Sequence, residues 1–148
     1  MQDLFRCSTR LLMAGAFVLL ASTAHADDSL YRAWGGKAGI RAVLDDLVPH
    51  LKADARIGRF FKDINSRHLA QQLSDQLCIQ AGGPCTYDGE TLRKVHVDMG
   101  ITKADFNRLV ELLQDSMDAR GIPFSAQNAM LSRLAPMHRD IIDVKPEN

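Results

Sequence analysis

The sequence predicts an all-helical fold, on three observations. Apolar residues recur at three- and four-residue spacing along most of the chain. Val, Ile and Thr are scattered, and no run keeps the period of two that a strand needs. Gly35-Gly36, Gly82-Gly83-Pro84 and Gly121-Ile122-Pro123 cut the rest into pieces of helical length.

Residues 1–26 stand apart from the fold. A basic-leaning start with Arg6 and Arg10 leads into eleven apolar residues over 11–21, and Ala24-His25-Ala26 follows the small-x-small cleavage pattern. The run is too short to span a bilayer, so it reads as a cleaved secretory signal, with an uncleaved anchor helix as the alternative. Residues 27–148 then form one domain of 122 residues, expected in the periplasm with no membrane contact after cleavage. That domain carries 16 basic and 17 acidic residues, a balance that gives no electrostatic reason for nucleic acid as a partner.

Within the domain, residues 29–34 make a short first helix closed by Gly35-Gly36, which can supply the positive φ of a helix exit. A second helix over 37–51 presents Ile40, Val43, Leu44, Leu47 and Val48, and Pro49 should kink it or end it early. Residues 55–61 make a short helical piece ending in Phe60-Phe61. Asn65 or Ser66 caps the next helix, with Leu69, Leu73, Leu77 and Cys78 on one stripe. A short helix from about Glu90 holds His96 and ends before Gly100. Thr102 caps the following helix, with Asp105 in its first turn, and that helix presents Phe106, Leu109, Val110, Leu113 and Met117. The last helix, over 125–144, should bury Met130, Leu131, Leu134, Ile141 and Ile142, and lie antiparallel to its predecessor as the floor of the core.

His96 is the residue with the most chemical promise. It lies four residues after Leu92 and three before Met99, on the inward stripe of a short amphipathic helix. By spacing alone it can be a satisfied core histidine as well as a metal ligand. No His or carboxylate stands three or four residues away to complete a zinc or non-haem iron site. A single neutral imidazole suits haem iron, since the porphyrin supplies four further nitrogens. Tyr87, Leu92, Ile101 and Phe106 are near enough in sequence to line an apolar slot. His50 and His68 are candidates for a sixth iron ligand, and otherwise read as partly exposed polar residues. His138, late in the last helix, reads as structural.

Cys78 and Cys85 are the thiols of the mature domain, and an exported compartment favours their pairing across the Gly-Gly-Pro turn. Their spacing is neither Cys-x-x-Cys nor Cys-x-x-Cys-His, so neither thioredoxin-like chemistry nor covalent c-type haem attachment is expected. Phosphate-loop, nucleophile-elbow and His-Glu-x-x-His motifs are absent from the sequence.

Leu30-Tyr31-Arg32-Ala33-Trp34-Gly35-Gly36, Phe60-Phe61, Gly82-Gly83-Pro84, Tyr87-Asp88-Gly89 and His96, in this order and spacing, resemble a group I truncated haemoglobin. The resemblance runs from about Ser29 to Asp143. It implies a two-over-two helical sandwich around non-covalent haem b, with His96 as the proximal iron ligand. It places Phe61 and the neighbouring Phe60 against the porphyrin, and Leu69 and Leu73 over the distal face. The chain departs from the pattern in one respect. Val48 stands where oxygen-avid members carry a tyrosine, and Leu73 where a glutamine is usual, with Gln72 and Gln76 close by; a local register shift at Pro49 would instead let Gln72 or His50 reach the iron. An apolar distal side would leave bound oxygen without a hydrogen-bond donor, so faster oxygen loss and easier autoxidation are expected.

The expected function is reversible binding of oxygen, nitric oxide or carbon monoxide at one axial site. Nitric oxide dioxygenation is an activity the family implies, and it would require an electron donor whose identity the sequence does not reveal. The competing readings are a six-coordinate redox or haem-handling protein, and a helical interaction module that has lost haem.

Overall fold

The computed structural model describes residues 28–143 of the chain; the expected signal peptide at 1–26 lies outside the described residues. All regular structure among the described residues is helical. Helix α1 (Ser29–Ala33) stops at Trp34, and Gly35 takes φ +76°, a left-handed conformation that costs a residue bearing a Cβ about 1 kcal/mol. The reversal sends Trp34 into the core, 1% exposed, where its indole N–H donates to the Ala126 carbonyl at 3.3 Å. With its one donor satisfied, the buried indole ties α1 to the far end of the chain.

Helix α2 (Gly36–Ala53) is the central element. Ile40, Val43, Leu44, Leu47, Val48 and Leu51 are all buried, and the helix packs along both α3 (Ser66–Gln80) and α5 (Lys103–Ala119). The early end expected at Pro49 does not occur. Pro49 is exposed, so water can replace its missing N–H at the Asp45 carbonyl. Val48 and Leu51 bury apolar surface on either side of it, which outweighs the lost bond.

Asn65 caps α3, its Oδ1 accepting the His68 N–H at 3.0 Å. The packed face of α3 is Ala70, Ser74, Leu77 and Cys78. Leu69 and Leu73, expected on that stripe, are only half-buried. Turning small Ala70 and Ser74 toward α2 lets the two helices approach closely. It also rotates both leucines onto the flank, since successive residues lie about 100° apart around a helix.

Helix α5 and α6 (Phe124–Leu134) form the second layer. Leu112, Leu113, Met117, Ile122, Ala126 and Met130 join the α2 stripe in one cluster. The core is therefore centred on α2, not on α5 and the final helix as expected. That final helix is also broken. A 3-10 turn, Ala135–Met137, separates α6 from α7 (His138–Ile141), because Pro136 has no N–H for the Ser132 carbonyl. Of the residues expected to be buried there, Met130 is enclosed, while Leu131, Leu134, Ile141 and Ile142 are half-buried.

The chain passes through a tight turn between α3 and α4 (Leu92–His96). Gly83 donates its N–H to the Cys78 carbonyl at 2.8 Å. A Cβ on Gly83 would stand 2.5 Å from the Tyr31 ring and 2.7 Å from the Cys78 sulfur, so no side chain fits. The sulfurs of Cys78 and Cys85 lie at bonding distance, with their Cα atoms 5.9 Å apart.

A polar clamp holds the segment between α2 and α3. The helical piece expected over 55–61 is a turn ending in a 3-10 turn at Gly58–Phe60, because the Asp54 carboxylate accepts the N–H groups of Arg56 and Ile57 at 2.9 and 3.0 Å. Asp54 also accepts from Arg108 Nε at 2.8 Å. Asp105, 5% exposed, closes the Thr102 capping box and accepts from Arg56 Nε at 3.2 Å, with the Arg59 guanidinium 3.5 Å away. The Ile57 N–H, then Arg108, hold the Asp54 carboxyl below its usual value. The Thr102 hydroxyl, with help from Arg56 and Arg59, does the same for Asp105 against the opposing effect of burial.

Both carboxylates are depressed below the ordinary 3.8, so their contribution is full above that pH and is lost as pH falls through the lowered values. Asp105→Asn should cost about 1–2 kcal/mol at neutral pH and less near pH 3, read by denaturant titration at both. Equal losses at the two pH values would remove the charge from the explanation. Gly83→Ala should destabilise the fold by about 1–3 kcal/mol as the Tyr31 ring and the Cys78 sulfur are pushed aside, measured the same way.

Candidate functional site

His96 is the last residue of α4. Thr91 caps the helix, its hydroxyl accepting the Lys94 N–H at 3.4 Å, and a Lys94–Glu90 ion pair of 2.7 Å braces the first turn. After His96 the chain leaves the helix at once, through extended Val97 and then Asp98 at φ +60°, a left-handed position that aspartate tolerates better than most residues. The stripe expected on this segment is present: Leu92, His96 and Met99 are half-buried while Val95 and Val97 are exposed.

The ring of His96 is oriented by one bond. Its Nδ1 lies 2.7 Å from the Leu92 carbonyl oxygen, which can only accept. Nδ1 therefore carries a proton, and in the neutral ring the lone pair that an electrophile would take lies on Nε2. The contact spans one helical turn, so its partner was legible from the four-residue spacing.

The C-terminal segment braces this helix. Arg93 pairs with Asp140 at 2.6 Å, the Asp143 N–H donates to the Ile101 carbonyl at 3.0 Å, and the Gly100 N–H reaches Asp143 at 3.4 Å. A cavity of about 60 Å³ remains between them, lined by His96, Val97, Arg93 and residues 139–143. Sequence reasoning missed this brace, although Pro136 was the signal that the last helix would bend.

The other expected site residues fall into two groups. Phe60, Phe61, Leu69, Leu73, Leu92 and Phe106 are half-buried apolar side chains, and Leu109 and Val110 extend the Phe106 face of α5 in the same state. Arg59 stacks its guanidinium 4.3 Å from the Phe60 ring centre, and the Phe106 ring stands 6.4 Å from that of His138. Ile101 and Val48 are instead enclosed, 7% and 2% exposed. Val48 borders a pocket of about 200 Å³ between α2 and α3, together with Pro49, Ala70 and the polar rim of Arg41, Asp45, Ser66 and Arg67. Tyr87 is half-buried and its hydroxyl donates to the Glu90 carbonyl at 3.0 Å.

The polar side chains named for the second axial position or close to it are exposed or lie against other groups. His50 is exposed, with Nδ1 3.6 Å from Asp46. His68 is exposed in the first turn of α3. The Gln72 amide packs over Gly89, where a Cβ would strike its Oε1. Gln76 Nε2 points to the Met137 sulfur, 3.9 Å away.

Among the described residues, no group of three or more His, Cys, Asp or Glu could hold a metal ion by itself. One imidazole with a free Nε2 is the donor set of an iron whose remaining equatorial positions come from a macrocycle. Half-exposed leucines and phenylalanines are the chemistry a porphyrin face requires. These residues fit haem.

The comparisons with known proteins point the same way. The family described as bacterial-like globin matches residues 29–143, more than half of the chain. A group 1 truncated hemoglobin of Mycolicibacterium paratuberculosis is 27% identical over 113 residues, covering 76% of this chain and 83% of that protein. One of Tetrahymena thermophila is 28% identical over 94 residues, covering 64% and 78%. In structure, the Fe(III) form of the truncated hemoglobin of Tetrahymena pyriformis superposes with a TM-score of 0.74 at 23% identity, covering 78% of this chain and 98% of that one. The group II truncated hemoglobin of Bacillus anthracis gives 0.70 at 21% identity, covering 80% and 94%. The chain belongs to the bacterial-like globin family and has the two-over-two helical fold of the truncated haemoglobins.

Proposed function

We propose that this protein is an exported haem b protein that binds diatomic gases, with His96 as its iron ligand. The observation that carries the reading is the 2.7 Å bond from His96 Nδ1 to the Leu92 carbonyl, which frees Nε2 and fixes the ring plane. Haem, held without a covalent bond, supplies the iron that takes oxygen, nitric oxide or carbon monoxide. The chain's own part is to position the imidazole, cover the macrocycle with Phe60, Phe61, Leu69, Leu73, Leu92 and Phe106, and keep water from the iron. Tyr87 holds the loop before α4 through the Glu90 carbonyl.

The exposed positions of His50 and His68 favour gas binding over a six-coordinate electron-transfer protein. Turnover of nitric oxide would add the need for an electron donor, and carriage or sensing of a gas would not.

Export to the periplasm is supported by the signal-like residues 1–26 and by the two cysteines placed at bonding distance. Among the described residues no helix is long and apolar enough to cross a membrane. In the periplasm the Cys78–Cys85 bond would hold the turn between α3 and the His96 helix, with a chain-entropy gain on the order of 2–3 kcal/mol.

Two measurements test this reading. The purified protein should show a Soret band that shifts on reduction and again with carbon monoxide. His96→Ala should lose most of that band and regain it with added imidazole, whereas an unchanged spectrum would remove His96 from the iron. Mass spectrometry of the periplasmic protein should find a chain starting at Asp27 and, without reductant, a cross-linked Cys78–Cys85 peptide; an intact residue 1 would exclude the cleavage.

A further inference from the structure

We propose that Asp140 and Asp143 are positioning residues for the gas site: from the end of the fold they set the direction in which α4 presents His96, and with it the rate of gas binding. The inference rests on the haem reading above and concerns the protein side of the same site.

The bond from His96 Nδ1 to the Leu92 carbonyl fixes the ring relative to its own helix. It leaves open how that helix is aimed. Helix α4 has five residues and none of them is buried, so neither its length nor an apolar face holds it in place. Its ties from Thr91 and Glu90 to Lys94 are equally local. After His96 the chain takes two left-handed residues within three positions, Asp98 at φ +60° and Gly100 at φ +66°, before Ile101 is buried. A left-handed residue with a Cβ persists where surrounding contacts enforce it.

Those contacts come from one place. Among the described residues, every hydrogen bond or ion pair that runs from residues 90–101 to a distant part of the chain ends on Asp140 or Asp143. Before His96, the Asp140 carboxylate accepts from Arg93 at 2.6 Å. After it, the Asp143 carboxylate accepts the Gly100 N–H at 3.4 Å, and the Asp143 N–H donates to the Ile101 carbonyl at 3.0 Å. The main helix partner of α4 is likewise α7.

The brace is itself anchored to both layers. Gln76 of α3 reaches the Met137 sulfur at 3.9 Å, and the Phe106 ring of α5 stands 6.4 Å from that of His138. Arg133 donates to the Gln80 carbonyl at 2.6 Å. The aim of His96 relative to α3 and α5 is therefore referred through the end of the fold. His96 also lines the cavity of about 60 Å³ between the two segments, so packing offers little resistance to a tilt of α4. An exposed ion pair adds little to stability, yet groups that orient a metal ligand are felt at the metal.

The test reads the iron–imidazole stretch by resonance Raman just after carbon monoxide is photolysed from the ferrous protein, together with the rate of carbon monoxide binding. The proteins are the wild type, Asp140→Ala, Asp143→Ala and Asp143→Asn. Amide exchange of residues 92–101 is followed in the same proteins without haem. Asp140 and Asp143 are exposed, so each variant keeps the fold. Both alanine variants should shift or broaden the stretch, change the binding rate about two- to fivefold, and quicken exchange in the haem-free protein. Asp143→Asn keeps an acceptor for the Gly100 N–H and should resemble the wild type. Exchange that quickens while the stretch and the rate stay in place would make the brace merely structural and overturn the proposal. So would a stretch unchanged in both alanine variants, or one that Asp143→Asn shifts as far as Asp143→Ala; each of these results leaves haem binding intact. Failure of the wild type to form any carbon monoxide adduct overturns the haem reading and this inference with it.

Discussion

The turn that leads from α3 to the His96 helix depends on the passage at Gly83. The chain reverses between the Tyr31 ring and the Cys78 sulfur, in a gap that admits no Cβ. That gap exists because Cys78 lies on the packed face of α3 and Tyr31 on the short helix that Trp34 anchors to α6. α3 stops where Gly82 turns into the left-handed region at φ +81° and Gly83 donates to the Cys78 carbonyl, and where α3 stops decides where α4 can begin. His96 inherits its place from contacts in which it takes no part.

Two kinds of interaction divide the labour from there. Apolar burial along α2 assembles the layers, because one helix offers a continuous stripe to both α3 and α5. Directional bonds then fix the parts that burial leaves free. Asp54 and Asp105 bind the segment carrying Phe60 and Phe61 to the start of α5 through Arg108, Arg56 and Arg59. The Leu92 carbonyl fixes the His96 ring, and the segment after α7 braces the chain on either side of it. The role proposed for His96 needs an accurate direction more than a deep burial, and the short bond to the Leu92 carbonyl supplies it.

On the His96 side of the proposed iron site a polar group is oriented by a hydrogen bond. Of the polar side chains named for the other side, His50 and His68 are exposed, and Gln76 Nε2 is turned to the Met137 sulfur. A buried donor without an acceptor would cost about 1–3 kcal/mol, and the contact with sulfur spares Gln76 part of that cost.

Helical class, the caps at Asn65 and Thr102, the exit at Gly35-Gly36 and the importance of His96 could all be read from the residues alone. Each depends on neighbours within about four positions, where backbone geometry is nearly independent of the rest of the fold. The resemblance carried by Phe60-Phe61, Gly82-Gly83-Pro84 and His96 likewise lay in the order of residues along the chain. Tertiary structure alone decided that α2 runs through Pro49, that Ala70 and Ser74 displace Leu69 and Leu73 from the packed face, and that the last helix breaks and braces α4. It also decided that the two glutamines are turned to Gly89 and Met137. In each of these cases the local preference was weak or divided, and the outcome depended on which distant surface came to lie opposite, which no local spacing in the chain records.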